Sequence, residues 1–146
     1  MIVRTEEALG EVGHALAAAL RPGDVVTLSG PLGVGKTSLA RAVLQAAGHS
    51  GDVPSPTFAI VQPYEELSPP IWHCDLYRLE DTAELEELGL DFALDDAALL
   101  VEWPERAGEA AWPQALRLSI DFAEGGARAL TAEVPAPWKG RWPFPR

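Results

Sequence analysis

Residues 30–37 of this 146-residue chain read GPLGVGKT and match the P-loop pattern G-x-x-x-x-G-K-[ST] at every position. Glycines in such a loop let backbone N–H groups curl around phosphate oxygens with no side chain in the way. Lys36 can reach the β- and γ-phosphate oxygens of a nucleotide, and the Thr37 hydroxyl can coordinate magnesium. The motif therefore predicts that the chain binds a nucleotide together with Mg²⁺.

The segments on either side of the loop are those that its chemistry requires. An apolar run at residues 25–28 predicts a strand, and the helical pattern at residues 37–47, ended by Gly48, predicts a helix that starts at the loop. A helix in this position directs its positive end toward the same phosphates. We therefore expect the nucleotide to contact a run of consecutive residues, namely Leu32, Gly33, Val34, Gly35, Lys36, Thr37 and Ser38.

Magnesium bound to Thr37 needs at least one carboxylate ligand, which commonly stands at the end of a core strand. Residues 97–101 (AALLV) form a continuous apolar run that predicts a central strand covered on both faces, and Glu102 follows it directly. Ligand groups in open α/β sheets gather at the carboxyl ends of strands, so we expect Glu102 to be the metal carboxylate. The alternative is an ordinary exposed glutamate after a strand.

The segment IWHCDLYR at residues 71–78 contains a second candidate carboxylate, Asp75. If residues 71–77 are extended, then His73, Asp75 and Tyr77 share one face of the strand, while the residues between them face the other way. Polar groups along one face indicate a site rather than a plain core strand. A structural role for His73, as a hydrogen-bonded histidine, is the simpler interpretation of that residue, and Cys74 is expected in the core.

Two more side chains have roles that the residues leave open. Thr57 lies in the proline-bounded segment SPTF at residues 55–58, which is either a switch that senses the γ-phosphate or only a turn. Trp103 either stacks on adenine or packs within the protein. Since the chain contains neither N-K-x-D nor D-x-x-G, nothing in it selects guanine, and we expect ATP to be the nucleotide.

Length and composition indicate a globular chain with one ordinary core, because 47% of its 146 residues are hydrophobic. No apolar run approaches the roughly 18–20 residues that a membrane span needs. The first residues lack the basic start and apolar run of a signal peptide. With a single cysteine, Cys74, no internal disulfide can form. These features predict a cytoplasmic protein with no membrane association.

The net charge of −11 would repel a polyanion such as tRNA, so independent nucleic-acid binding is disfavoured. The imbalance is strongest at residues 80–105, which include ten acidic residues and no lysine or arginine. This segment is either a solvated acidic face or a docking surface for a basic partner protein.

The elements predict an α/β fold formed by a single P-loop NTPase domain at residues 1–134. Thr5 is expected to cap a first helix, and further strands are expected at residues 58–61 and 71–77, with an acidic helix at residues 81–88. Residues 116–122 and 129–134 read as a hairpin. We therefore expect a mixed, mostly parallel sheet flanked by helices, with an antiparallel C-terminal hairpin. Residues 135–146 form a tail rich in proline, aromatic and basic residues.

Four motifs in this order and spacing make the chain resemble the TsaE (YjeE) family of bacterial ATPases: GPLGVGKTSLARAVL, SPTFAIVQPY, HCDLYRLED with AELEELGL, and LLVEWPERAG. The resemblance covers residues 5–128 or so. It implies a P-loop α/β domain in which Lys36 and Thr37 hold phosphate and magnesium, and Glu102 is the magnesium carboxylate. It also implies that Asp75 lies close to the metal and the γ-phosphate, that Thr57 belongs to a switch-like loop, and that Arg128 approaches the nucleotide base, although Ala127 stands where a glycine is expected.

The resemblance further implies an activity that depends on two partner subunits, TsaD and TsaB, in placing a threonylcarbamoyl group on adenosine of ANN-decoding tRNAs. The ATPase would reset the complex between turnovers, with tRNA contacted only through the partners. The residues leave two alternatives open. A small-molecule kinase would need an acceptor pocket and usually an arginine-bearing lid, for which Arg106 is the one candidate between residues 89 and 112. A nucleotide-dependent interaction module would bind but hardly hydrolyse, and no arginine finger or attacking-water residue is evident.

Overall fold

A computed structural model describes residues 1–53, 60–108, 110–142 and 144. Across these residues, seven strands form one sheet in the order β1-β7-β6-β2-β5-β4-β3. The strands are β1 (Ile2–Val3), β2 (Val25–Ser29), β3 (Val61–Tyr64), β4 (Ile71–Asp75), β5 (Ala98–Glu102), β6 (Leu116–Phe122) and β7 (Arg128–Glu133). The helices are α1 (Glu6–Ala19), α2 (Lys36–Ala46), α3 (Ala83–Glu87) and α4 (Leu90–Ala93). Short 3₁₀ turns lie at Pro104–Ala107, Glu124–Gly126 and Ala136–Trp138.

The centre of the sheet is parallel and its edges are antiparallel. Strand β2 pairs in parallel with β5 and β6, and β5 pairs in parallel with β4. The edge strands β3, β7 and β1 all pair antiparallel with their neighbours. This arrangement confirms the predicted mixed, mostly parallel α/β sheet with a C-terminal hairpin. Within the described ranges, no helix is long and apolar enough to cross a membrane.

Alternation along the central strands produces a core on each face of the sheet. In β5, Ala98 and Leu100 belong to the core beneath α1 and α2, whereas Leu99 and Val101 belong to the core beneath α3 and α4. All five residues of β5 are buried, as a central strand covered on both faces requires. The free thiol of Cys74 is buried in the second of these cores, which confirms its expected place.

The two helices next to the P-loop form for reasons that are visible in the sequence. The Thr5 side chain accepts a hydrogen bond from Ala8 N at 3.0 Å, so it caps α1 as predicted. Gly13 of α1 faces α2 so closely that a Cβ added there would lie 2.6 Å from the Ala42 Cβ. Glycine at this position therefore allows the close packing of α1 against α2.

The sequence-based bounds were wrong at several places. The strand expected at residues 58–61 lies at Val61–Tyr64, with Pro63 tolerated because β3 is an edge strand; residues 58 and 59 lie outside the described part. Strand β4 ends at Asp75 rather than at residue 77, because Tyr77 N turns back to the Asp75 carboxylate. The acidic helix is shorter than expected, and α4 and β1 were not predicted.

The C-terminal segment packs against the first core. Trp138 is buried there, and Trp142 and Phe144 pack against the same cluster. Arg141 forms a two-pronged ion pair with Asp24, with N–O distances of 2.8 and 2.9 Å, and donates a further hydrogen bond to Ala19 O. These contacts join the end of the chain to the loop between α1 and β2.

Candidate nucleotide and magnesium site

A cleft of about 250 Å³ opens at the carboxyl ends of β2, β4 and β5, where ligands bind in open α/β sheets. The cleft collects residues that are far apart in the sequence, from the P-loop at one side to the ends of two neighbouring strands at the other. Its lining residues are Leu32, Gly33, Gly35, Lys36, Thr37, Ser38, Asp75, Tyr77, Glu102 and Trp103.

Two positions of the P-loop need glycine. Gly30 needs it because its φ is 151° and because a Cβ added to it would lie 2.3 Å from the carbonyl oxygen of Ile120. Gly35, with a φ of 121°, is the N-cap of α2 and turns the chain into the helix. The first N–H groups of α2 have no intrahelical acceptor and are directed at the loop, which is the arrangement that binds anions at helix N-termini.

Lys36 is buried inside the loop. Its ammonium group donates hydrogen bonds to the carbonyl oxygens of Gly30 and of Pro31, the latter at 3.0 Å, and lies 4.0 Å from the centre of the Trp103 ring. Desolvation lowers the pKa of Lys36, and the negative charges of nearby carboxylates, with Glu102 first, partly oppose this. The ammonium group is thus held by neutral carbonyls and a ring face, and anionic phosphate oxygens can replace these partners with stronger hydrogen bonds.

A chain of two hydrogen bonds joins the P-loop to the middle of the sheet. The Thr37 hydroxyl donates to Glu102 Oε1 at 2.9 Å, and the imidazole Nε2 of His73 lies 2.6 Å from Glu102 Oε2. His73 is fully buried and Glu102 is 2% exposed. Since an ionised carboxylate only accepts, His73 must have its Nε2 protonated to donate. The Thr37 hydroxyl uses its hydrogen on Glu102, so its lone pairs remain free for a cation.

Asp75 adds a second carboxylate to the same edge. It lies directly opposite Glu102 in the parallel pairing of β4 with β5, and its Oδ1 accepts a hydrogen bond from Tyr77 N at 3.0 Å. Desolvation raises the pKa of Asp75, and the negative charge of Glu102 raises it further. Both effects penalise a second negative charge at this edge, and a bound cation would offset them.

These oxygen atoms fit magnesium better than a transition metal. The described residues include no group of three or more His, Cys, Asp or Glu side chains placed to hold a metal ion. The cleft instead offers the Thr37 hydroxyl, two carboxylates at strand ends, and space for phosphate oxygens. Mg²⁺ is usually bound by one or two carboxylates together with substrate phosphates. The residues present therefore fit the Mg²⁺ and nucleotide that the P-loop implies.

Trp103 lies against the P-loop lysine and the Tyr77 ring. Its backbone is in the left-handed region, with a φ of 58°, which turns the chain sharply after β5. The Trp103 and Tyr77 ring centres are 4.9 Å apart, and the Arg106 guanidinium lies 5.7 Å from the Tyr77 ring. Of the two roles left open for Trp103, packing is the one that these contacts describe, and stacking on adenine stays a prediction.

Arg128 and Val34 are not in this cleft but at a neighbouring cavity of about 210 Å³ on the other side of the P-loop. Arg128 Nε donates to the carbonyl oxygen of Val34 at 2.6 Å, which attaches the start of β7 to the loop. The cavity is also lined by Thr5, Glu6 and other residues at the start of α1. Gly35 lines both spaces, so they meet at the P-loop.

The structure thus brings together most of the predicted site. Lys36, Thr37, Asp75, Glu102 and Trp103 share the cleft with three other P-loop positions and with Ser38. Arg128 and Val34 lie at the adjoining cavity, and Thr57 lies outside the described residues.

The sequence placed Tyr77 and His73 on the polar face with Asp75 but gave Tyr77 no role and His73 no named partner. In the structure Tyr77 lines the cleft, and His73 contacts Glu102 directly. The alternation of His73, Asp75 and Tyr77 was the available signal, but it identifies a polar face and not the partner of each side chain. The cavity at the start of α1 had no such signal, because Thr5 was explained fully by its role as a helix cap.

A P-loop preceded by a parallel strand and opening a helix, with carboxylates at the ends of adjacent strands, defines a P-loop protein of the α/β class. The family model described as threonylcarbamoyl adenosine biosynthesis protein TsaE matches residues 3–130. The chain belongs to this TsaE family.

Individual relatives agree with this assignment. The chain is 46% identical over 118 residues to a tRNA threonylcarbamoyladenosine biosynthesis protein TsaE of Streptomyces coelicolor, covering 79% of this chain and 80% of that protein. It is 42% identical over 105 residues to the protein of the same name in Rickettsia bellii, covering 71% and 73%. The crystal structure of Bacillus subtilis YdiB superposes with a TM-score of 0.80 at 29% identity, covering 97% of this chain and 88% of that one.

Proposed function

We propose that this chain is a Mg²⁺-dependent ATPase that acts with partner subunits of the TsaD and TsaB type in tRNA threonylcarbamoyladenosine biosynthesis. In this proposal, ATP hydrolysis is slow in the isolated chain and resets the complex between turnovers, and tRNA is contacted through the partners. We place the activity in the cytoplasm, because a single buried thiol requires no oxidising compartment.

The observation that supports the magnesium and nucleotide site most directly is the 2.9 Å hydrogen bond from the Thr37 hydroxyl to Glu102. It joins the last residue of the P-loop motif to a carboxylate 65 positions away in the sequence. A buried glutamate is costly unless it is paired, so its place beside the P-loop threonine favours a functional role over an ordinary end of a strand. In this proposal Lys36 binds the β- and γ-phosphates, and Thr37, Glu102 and Asp75 hold the metal. When bound, Mg²⁺ would neutralise charge on the phosphates.

Slow turnover by the isolated chain follows from the composition of the cleft. Among the described residues that line it, Lys36 is the one cation. Phosphoryl transfer enzymes commonly use a second cation, an arginine finger, that contributes about 10³–10⁵-fold to the rate. Arg106 lies near Tyr77 but is exposed and does not line the cleft. The proposal therefore assigns the missing catalytic group to a partner or to a rearrangement that a partner causes.

Nucleotide binding is tested by calorimetry with the parent chain, Lys36→Ala and Glu102→Gln. The parent should bind ATP in the presence of Mg²⁺ and should not prefer GTP. Lys36→Ala should lose most of this affinity, whereas Glu102→Gln should keep nucleotide binding and lose the effect of Mg²⁺ on it. Lys139→Ala is a matched control, because Lys139 is an exposed lysine remote from the P-loop in the C-terminal segment. Parent-like binding of Mg-ATP by Lys36→Ala would show that the site is wrongly assigned.

Partner dependence is tested by steady-state ATP turnover of the chain alone and with the TsaD–TsaB pair from the same organism. We expect turnover near background alone and a clear increase with the pair. Rapid turnover by the chain alone, unchanged by the partners, would contradict the proposal and favour a small-molecule kinase. Binding to the partners without turnover in any combination would favour an interaction module.

A further inference from the structure

A groove with both apolar and acidic lining residues lies between α3 and α4 on one side and the segment after β5 on the other. Its volume is about 540 Å³, roughly twice that of the nucleotide cleft. Leu85, Leu90 and Ala107 are among its apolar lining residues, together with the ring of Trp112. Phe92 also lines it and is 83% exposed, which makes it the most exposed large hydrophobic side chain of the described residues.

The short helix α4 gives Phe92 its exposed position. Leu90 and Ala93 are buried in the core on that face of the sheet, so Phe92 between them is directed outward. Two other exposed hydrophobic residues have local explanations: Leu32 lines the nucleotide cleft, and the Arg128 guanidinium lies 5.1 Å from the Phe122 ring. An exposed aromatic ring beside a half-buried Trp112 in one groove is instead typical of a protein interface, where aromatic anchors dominate the binding energy.

The charge around this groove indicates the kind of partner that fits it. Glu86 and Asp91 line its rim, and both walls come from or adjoin residues 80–105, which include ten acidic residues and no lysine or arginine. A nucleic acid would be repelled here. A second copy of this chain, in a two-fold dimer, would place the same acidic rim against itself. A basic protein segment would instead be attracted to the acidic rim.

We propose that this groove docks a basic segment of a partner protein, one with a large apolar side chain that packs between Phe92 and Trp112 and flanking lysine or arginine residues that pair with the acidic rim. The inference rests on the proposed function, in which the chain works with partner subunits. Both walls of the groove follow the strands that end in the site's carboxylates: α3 follows β4 with Asp75, and the second wall follows β5 with Glu102.

The test measures the affinity of the purified TsaD–TsaB pair for this chain by calorimetry, at low salt and at about 0.15 M salt. Phe92→Ala removes the anchor, and the double substitution Glu86→Lys with Asp91→Lys reverses the rim. We expect each to weaken binding by about tenfold or more. The rim variant should also lose most of the salt dependence of the parent.

Two matched controls change the same chemistry elsewhere. Ile2→Ala removes an apolar side chain that is 50% exposed at the opposite edge of the sheet, and Glu7→Lys with Glu11→Lys reverses two exposed charges on α1. These should bind the pair as the parent does. All variants should bind ATP with parent affinity and show parent circular dichroism, which separates loss of docking from loss of folding.

Each result has a definite meaning. If the parent binds the pair and the groove variants bind equally well, the groove proposal is wrong and the proposed function stands. If the parent does not bind the pair at all, the partner dependence in the proposed function fails and the groove proposal fails with it. If light scattering shows that the parent is a dimer and Phe92→Ala a monomer, a second copy occupies the groove and the proposal is also wrong.

Discussion

Replacing His73 by leucine tests whether the buried contact to Glu102 holds the site's carboxylate in place. His73 is fully buried, Glu102 is 2% exposed, and the two are joined at 2.6 Å. The substitution places an apolar side chain of moderate size in the same space, but it leaves Glu102 Oε2 without its hydrogen-bond donor. Glu102 keeps the hydrogen bond from Thr37 at its other oxygen, so the loss is partial.

The size of the effect follows from the burial of both groups. Leaving a buried charged acceptor without its hydrogen-bond donor costs up to about 3 kcal/mol or more, and we expect about 3 kcal/mol here because Thr37 still contacts the carboxylate. With an m-value of about 2 kcal/mol/M, the urea midpoint should fall by about 1.5 M. Side chains that orient a metal ligand are typically worth about 10–100-fold in metal affinity, so the dependence of nucleotide binding on Mg²⁺ should weaken as well.

Two control variants separate the hydrogen bond from the volume of the ring. His73→Gln places a donor where the imidazole Nε2 stands, and it should recover much of the loss. The loss of the second ring nitrogen should cost little stability, because Nδ1 has no hydrogen-bond partner among the described residues. In a Glu102→Gln background no charge is stranded, so His73→Leu should cost less by about 1–3 kcal/mol in a double-mutant cycle. Equal costs in both backgrounds, or a loss below about 1 kcal/mol, would refute the reasoning.

Three further outcomes are expected. Arg141→Ala should lower the free energy of unfolding by about 2 kcal/mol in urea titration, because it removes charged hydrogen bonds to Asp24. An unchanged urea midpoint would show that these hydrogen bonds of the C-terminal segment add nothing to stability. Cys74 should resist iodoacetamide at pH 8 in the native state and react only on unfolding. Burial raises the pKa of its thiol to about 12, so almost none of it is the reactive thiolate at pH 8. Rapid labelling of the native protein, followed by mass spectrometry, would contradict this. Arg128→Ala, which loses the hydrogen bond to the P-loop at Val34 O, should weaken ATP affinity several-fold in calorimetry while its Mg²⁺ dependence stays as in the parent.

The local parts of the site were predictable because their chemistry is contiguous in the chain. The strand, the P-loop and the helix at residues 25–47 were placed to within one residue, since an apolar run, a glycine-rich motif and a helical pattern follow one another directly. Glu102 was also predicted, although it contacts Thr37 across 65 positions. Glu102 could be predicted without knowing its distance from Thr37, because ligands gather at the carboxyl ends of parallel strands.

What the sequence did not predict depends on tertiary neighbours. Nothing in residues 116–122 shows that β6 pairs in parallel with β2, because the two strands are not consecutive. The edge strand β3 was placed too early, since Pro63 is a strand breaker unless the strand is known to lie at an edge. His73 was expected to be a hydrogen-bonded structural histidine, and the sequence could not show that its partner, 29 positions away, is the Glu102 carboxylate.

Under the proposed function, the arrangement around Glu102 gives a physical reason why the chain would bind ATP well and hydrolyse it slowly. Two donors, the Thr37 hydroxyl and the His73 imidazole, fix the carboxylate before any ligand arrives, and its remaining lone pairs stay available. Such preorganisation lowers the cost of binding metal and phosphate. Interactions that stabilise the ground state and the transition state equally raise affinity without raising kcat. Under the same proposal, the cleft holds ATP ready with Lys36, the one cation among the described residues that line it, and a group that acts only in the transition state must come with the partners.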